Sequence, residues 1–511
     1  MNIKLSIGTL DYKNPTYLKH STTWKEVEEL YQGGSVLFNN IEHYIPRRPG
    51  ELVNHYRMRL QKTTYFPLLT KSINTMVNKM ATGDLVVSNS NDPFWVDFRS
   101  NIDMDGMNDD EFVNDVFREL LLYGSYFVHI DKPVSQYQPR NLKEEKELGL
   151  RPYLTTYNAR EVLDWEKDKG GVNFIKVKQE HLYRVSPFSV PLTKIKWSYI
   201  TKEYIVIYEV LVKKDSYGNI ECIVDERGKE VSPYDDEVEL VPTSVIKHGY
   251  GMCPVRMLEL NPELWVVGSS ILKIKECFLL ENIIHDTTTI GTPITRSFKP
   301  YTVDKDKANV FTEEDGSTIR LGNDTVIKVD EFKYNEMSGS GIMAAQSILT
   351  IKQQELAVLL TMKDIKIDGE NYEASGNSKR LDFVDQEAAL VAFGKIIREF
   401  YQEILNIVAK VQNIKNVPSV NGLINFQLDE VSELLLISQG LMMYEKYVPE
   451  MTIKGFSKRL SKFILSTNDA DVLAKLDAEI EAMDFSNVET DISPNNSLDP
   501  NQMSKPKRNL T

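Results

Sequence analysis

The chain has 511 residues, 41% hydrophobic and 26% charged, which is ample for buried cores and long enough for roughly three or four compact units. Its net charge of −14 excludes the Lys/Arg-rich footprint of a tight nucleic-acid binder, though not a surface past which a polyanion slides with little friction. No run reaches the roughly 18 apolar residues of a membrane span, so no membrane partner is expected. The start MNIKLSIGTLDYKNP has no signal-peptide pattern, and three widely spaced cysteines (Cys222, Cys253, Cys277) fit a reducing compartment without disulfides.

Residues 1–65 are rich in turn signals and read as an N-terminal arm. Within it YIPRRPGELVNHYRMRLQKTTYF has two prolines and a glycine before a helical run carrying Arg57, Arg59 and Lys62. Leu69, Ile73, Met76, Val77 and Met80 then recur at helical spacing, with Gly83 as the expected stop. Asp109 and Asp110 are cap candidates for a helix through EFVNDVFRELLLYG. From about 120 to 250 the pattern is strand-like, punctuated by DSYGN and ERGKE, within a larger domain spanning 66–262.

After Pro262 the period changes. A long helix is predicted over 263–289, with Val267, Ile271, Ile274, Phe278 and Ile284 spread over a wide face. Short strands follow within 290–338, then a second helix over 339–366. A polar connection, 367–378, precedes a very long helix from 379 that, with its return, reaches 427. A helical end runs over 428–485. The tail 486–511 has few apolar residues and is expected to be disordered, with a basic KPKR at 505–508. The fold class expected is α+β.

The sequence carries no catalytic or ligand-binding motif at the required spacing. Gly369 and Gly376 lie too far apart for a phosphate loop, the lysine follows as NSK, and a helix precedes where a buried strand is required; a helix–loop–helix connection capped by Asn377 or Ser378 is the better reading. In DMDGMNDDE, counted from Asp103, Gly106 falls at position four, whereas a calcium loop needs its glycine at six. The seven histidines and three cysteines show no metal spacing, and no G-x-S-x-G elbow occurs. Lys299, Lys305, Lys307 and Arg320 are offset by Asp304, Asp306 and Glu313 to Asp315, giving a mixed-charge surface. No enzyme activity, cofactor or metal is expected.

What remains informative is the order of parts: sheet domain, long helix, small β insertion, long helix, polar loop, very long helix, helical end. That order resembles the portal protein of tailed bacteriophages, a ring-shaped channel of typically twelve subunits at one capsid vertex. Three stretches carry the resemblance: YIPRRPGELVNHYRMRLQKTTYFPLLTKSINTMVNKM, GYGMCPVRMLELNPELWVVGSSILKIKECFLLENIIHDTTTIGTP and EASGNSKRLDFVDQEAALVAFGKIIREFYQEILNIVAKV. The resemblance implies that 263–289 and 339–366 are stem helices and that 290–338 is a clip. Lys299, Lys305, Lys307 and Arg320 would then face the packaging motor (terminase large subunit) and the head–tail adaptor. It further implies a tunnel loop at 367–378 that, with the flanking Lys366 and Lys379, meets DNA through Lys366, Asp368, Gly369, Glu370, Asn371, Tyr372, Gly376, Asn377 and Lys379. The sheet domain and third helix would form a wing against the major capsid protein, and 428–485 a crown. Double-stranded DNA would pass through a homo-oligomer during packaging and ejection, in a virion assembled in the host cytoplasm. The alternative is another oligomeric virion scaffold or baseplate component without a DNA channel.

Overall fold

Asn14 sets the start of the first long helix: its side chain accepts the Thr16 N–H at 2.9 Å, and Pro15 takes the first helical position, where an N–H would go unbonded anyway. The helix, α1 (Pro15–Gln32), buries Tyr17, Trp24, Val27 and Leu30 and stops where Gly33 adopts a φ of +60°. The expected arm is therefore part of the main core. The computed structural model describes residues 4–88, 92–133, 144, 149–169, 171–184, 186–215, 220–224, 230–232, 239–291, 295–300, 329–335, 340–361, 376–424, 426, 450–465 and 470–482.

Helix α2 (Val53–Gln61) follows the prolines, and Arg59 folds back to clasp Glu51 at 2.7 Å while donating to the Pro46 carbonyl. Helix α3 (Leu68–Met80) buries the five apolar residues picked out by periodicity. It ends at Met80, ahead of Gly83. That glycine instead permits close packing, since a Cβ there would collide with the Phe426 ring. Helix α4 (Pro93–Ser100) is capped by Asp92.

Helix α5 (Asp109–Tyr123) corrects the expected cap. Asn108 holds that position: its side chain accepts the Glu111 N–H at 2.9 Å, and the Glu111 carboxylate accepts the Asn108 N–H at 3.1 Å. This reciprocal box satisfies two amides that the start of a helix leaves open. Asp109 lies inside the first turn and pairs with Arg99 at 2.6 Å. Upstream, Asp103 accepts the amides of Asp105 and Met107, so the DMDG stretch is a side-chain-stabilised turn.

The strand region builds two main antiparallel sheets, and its Glu239–Leu240 pairs with Leu5–Ser6 in a third. Ser125–Asp131 lies between Val255–Glu259 and Tyr153–Asn158 in a three-stranded sheet. The larger sheet runs Glu230–Val231, Ile220–Val224, Tyr204–Lys214, Leu192–Ile200, Gly171–Tyr183, Val162–Asp168, with Ser244–Lys247 also paired to Tyr204–Lys214. A core cluster of Phe127, Tyr157, Val162, Ile175, Val177, Ile200 and Val255 joins the two.

Helix α6 (Val266–Gly291) leads into the strand Thr295–Pro300, which pairs antiparallel with Val329–Asn335; helix α7 (Ser340–Thr361) then returns. Helix α8 (Gly376–Gln412) spans 37 residues, about 55 Å at 1.5 Å per residue, and buries Phe393, Ile397, Phe400, Tyr401 and Ile404. It begins at Gly376, so Gly376, Asn377 and Lys379 stand in its first turns rather than in a connection ending at 378. After it, Ser419–Gly422 pairs with Leu85–Ser88. The chain is thus of the α+β class. Contacts divide it at Phe426. In the second unit, helices α9 (Glu450–Leu465) and α10 (Ala470–Ala482) are linked by Lys458, 2.8 Å from Glu481.

Candidate assembly surface on the paired helices

Two ion pairs fix how α6 and α7 lie together. Lys273 meets Glu355 at 2.5 Å and Glu276 meets Lys352 at 2.6 Å. The pairings step in opposite directions along the two helices, so the helices run antiparallel. Thr295–Pro300 and Val329–Asn335 continue the same antiparallel course, with Thr295 opposite Asn335 and Phe298 opposite Phe332. One long hairpin results, helical at its base and a two-stranded ribbon beyond. The hydrogen bond from Lys273 holds the Glu355 carboxyl below its ordinary range, and the Glu276 bond raises the Lys352 ammonium. Both pairs are partly solvated and contribute register more than stability.

The root of the hairpin is strapped by the N-terminal segment along one stripe of α6. Trp265 donates to the Leu122 carbonyl at 3.1 Å and packs against His20. Lys275 bonds Glu26 at 2.5 Å, and Phe278 sits edge-on to Tyr44 and Tyr65. Asn282 accepts the Thr64 N–H and donates to its carbonyl, each at 3.0 Å, and Arg48 reaches Asp286 at 2.9 Å. Burial pushes the Glu26 carboxyl up, but the bonds from Lys275 and His43 outweigh it and hold the group below its usual value. Trp265 itself lies against Gly124 and Gly268, where any Cβ would strike the indole.

The end of α7 at the same root is fixed by Gln386 of α8, which is fully buried. Its amide donates to the Thr361 carbonyl at 2.7 Å, and Lys79 of α3 donates to its oxygen. Thr361 C=O is one of the carbonyls a helix end leaves without an internal partner.

The solvent face of the pair is the distinctive feature. At 100° per residue, Ala344, Ile348, Ile351, Glu355 and Leu359 fall within about 80° of one another on α7, while buried Leu356 and Leu360 lie on the other side. Ile348, Ile351 and Leu359 are exposed, and Met343 is 67% exposed nearby. On α6 the exposed stripe carries Leu272, 73% exposed, and Ile283. A surface helix of a lone soluble protein presents charge there; helices apolar on two faces belong between neighbours.

Of the residues the sequence singled out, Lys299 lies on the strand Thr295–Pro300, opposite Glu331. Gly376, Asn377 and Lys379 lie on α8. Lys305, Lys307, Arg320, Lys366, Asp368, Gly369, Glu370, Asn371 and Tyr372 lie outside the described residues, as do the tail 486–511 and residues 428–449. Sequence reasoning did not single out Leu272, Ile351 and Leu359 as exposed; periodicity shows that a helix is apolar but not which of two apolar faces its own subunit covers. Among the described residues no group of three or more His, Cys, Asp or Glu could hold a metal, and no helix is long and apolar enough to cross a membrane.

No protein-family model matches this chain, and no curated protein matches it. Solved structures similar to it include a chain from the virion of a native gene transfer agent particle, 8% identical with a TM-score of 0.36, covering 79% of this chain and 92% of that one. A chain from the neck of the empty particle computed with C6 symmetry is 9% identical, and one from the neck of the native particle computed with C12 symmetry is 10% identical. Each has a TM-score of 0.37 and covers 75% of this chain and 86% of the other. Likeness at this level does not by itself define a shared fold.

Proposed function

We propose that the chain is the subunit of a portal ring, a structural and not a catalytic protein, through which double-stranded DNA is packaged, retained and ejected at one vertex of a virion. The observation that carries the reading is the second apolar face of the α6–α7 hairpin, exposed at Leu272, Ile283, Ile348, Ile351 and Leu359. Burying such area between copies releases water at about 25 cal/mol per Å². The face of one copy meets a different face of the next, and repetition of such a head-to-tail contact closes a ring when the rotation allows. The matched ion pairs leave the hairpin locally neutral, which suits a wall that DNA must slide past.

In this reading the ribbon and the residues between its strands dock the terminase motor and later the tail adaptor, with Lys299, Lys305, Lys307 and Arg320 among the contacts. The polar segment from Lys366 to Lys379 edges the bore. The sheet domain meets the capsid protein. The test is native mass spectrometry of the purified chain beside a Leu272→Asp/Ile351→Asp variant. Wild-type protein should give a closed homo-oligomer, twelve copies being the number the portal resemblance implies, and the variant a folded monomer. A wild-type monomer, or an oligomer indifferent to the two substitutions, contradicts the proposal.

A further inference from the structure

A cavity of about 610 Å³ opens at one end of the large sheet. Its wall comes from three neighbouring turns: Asp168, Lys169, Val172 and Asn173 from the first, Lys202 from the second, and Gly251 to Cys253 with Arg256 from the segment entering the smaller sheet. Its size is within the range of small-ligand sites. Three cations line it in a chain whose net charge is −14. Asp168 lies 3.7 Å from Lys202, and Glu403 lies 3.4 Å from Arg256 Nε; these two carboxylates offset part of the positive charge and leave it net positive.

One further feature bears on the site. Arg256 Nε lies buried 3.4 Å from Glu403, and Asn173 Oδ1 is equally buried, so a ligand in the cavity meets the lining cations and Asp168 rather than these two atoms. Gly171, at a φ of +119°, has no Cβ, and the Arg256 guanidinium occupies the space a Cβ would take. The guanidinium is therefore held at the wall by backbone shape.

We propose that this cavity binds a protonated phosphate group, free or as a terminal monoester. Lys169, Lys202 and Arg256 neutralise it, and Asp168 accepts its O–H. A phosphodiester and sulfate lack that hydrogen at neutral pH, so the carboxylate discriminates against both. This site does not depend on ring assembly.

The test is calorimetric titration of the full chain with inorganic phosphate, a nucleoside monophosphate, sulfate and a short DNA duplex. Phosphate should bind saturably with a Kd below about 1 mM and at least about tenfold tighter than sulfate. Binding of the nucleotide that strengthens as pH falls toward its second pKa near 6 identifies a monoester as a source, and its exclusion identifies free phosphate. Lys169→Glu/Lys202→Glu, at exposed positions, should weaken phosphate at least about tenfold with an unchanged melting temperature in phosphate-free buffer. Asp168→Asn should reduce the preference over sulfate. Absence of saturable phosphate binding, equal affinity for sulfate, competition by the duplex, or indifference to the lysine changes overturns the proposal, whatever the oligomeric state.

Discussion

At the scale of single residues, a half-buried carboxyl and a buried imidazole give the subunit opposite pH dependences. Burial, reinforced by Asp115, pushes the Glu119 carboxyl up to about 8, while Asn158 donates to it at 3.0 Å. Its folded-state value lies above the unfolded one, so its favourable contribution is complete below the unfolded value and is lost as pH rises through about 8. Glu119→Gln should therefore flatten the fall in melting temperature between pH 5 and 8, measured by scanning calorimetry; an unchanged slope would show that the carboxyl is solvated. His129 runs the other way. Burial pushes its ring down to about 4, so its contribution is present above the unfolded value and lost as pH falls through 4. Residue-scale chemistry was only partly legible in the sequence. The asparagine–glutamate box at α5 was readable as N-x-x-E, but the adjacent aspartates have the same local preference and masked it. The burial of Glu119 depends on Tyr126, Asn158 and their strands, which no local pattern reveals.

At the scale of elements, the long helices were legible because a wide apolar periodicity over 20 or more residues has few other solutions. Helix α1 was not. Its Thr, Ser, Tyr and His content has weak helix preference, and its buried residues Tyr17, Trp24, Val27 and Leu30 make sense only against α3, α5 and α6. Phe278, 2% exposed between Tyr44 and Tyr65, is the main apolar anchor of the strap on α6. Phe278→Ala should cost about 3–5 kcal/mol in urea unfolding. Leu272→Ser, on the exposed stripe of the same helix, should change monomer stability by no more than about 0.5 kcal/mol while weakening assembly. If the two costs are similar, the exposed stripe is part of the subunit's own core. Deleting residues 369–375 should leave ring formation intact and reduce DNA filling of particles, measured by the ratio of full to empty heads. Loss of rings would give that segment a structural role.

At the scale of the molecule, the order of parts was readable, but the pairing of distant ones was not. Val255–Glu259 pairs with Ser125–Asp131 across more than 120 residues while still packing on the large sheet, and Ser419–Gly422 returns across more than 300 residues to Leu85–Ser88. Such pairings are settled by packing, as Gly394 against the Leu423 backbone shows, rather than by any local signal. The same limit applies to assembly: a helix apolar on two sides states that something covers it, and the structure shows which side is left. Electron microscopy of the purified full-length chain tests the account most directly. Class averages should show closed rings with an axial hole wide enough for a duplex and with the α6–α7 hairpins around it. A solitary particle at micromolar concentration, or an open filament, would contradict it.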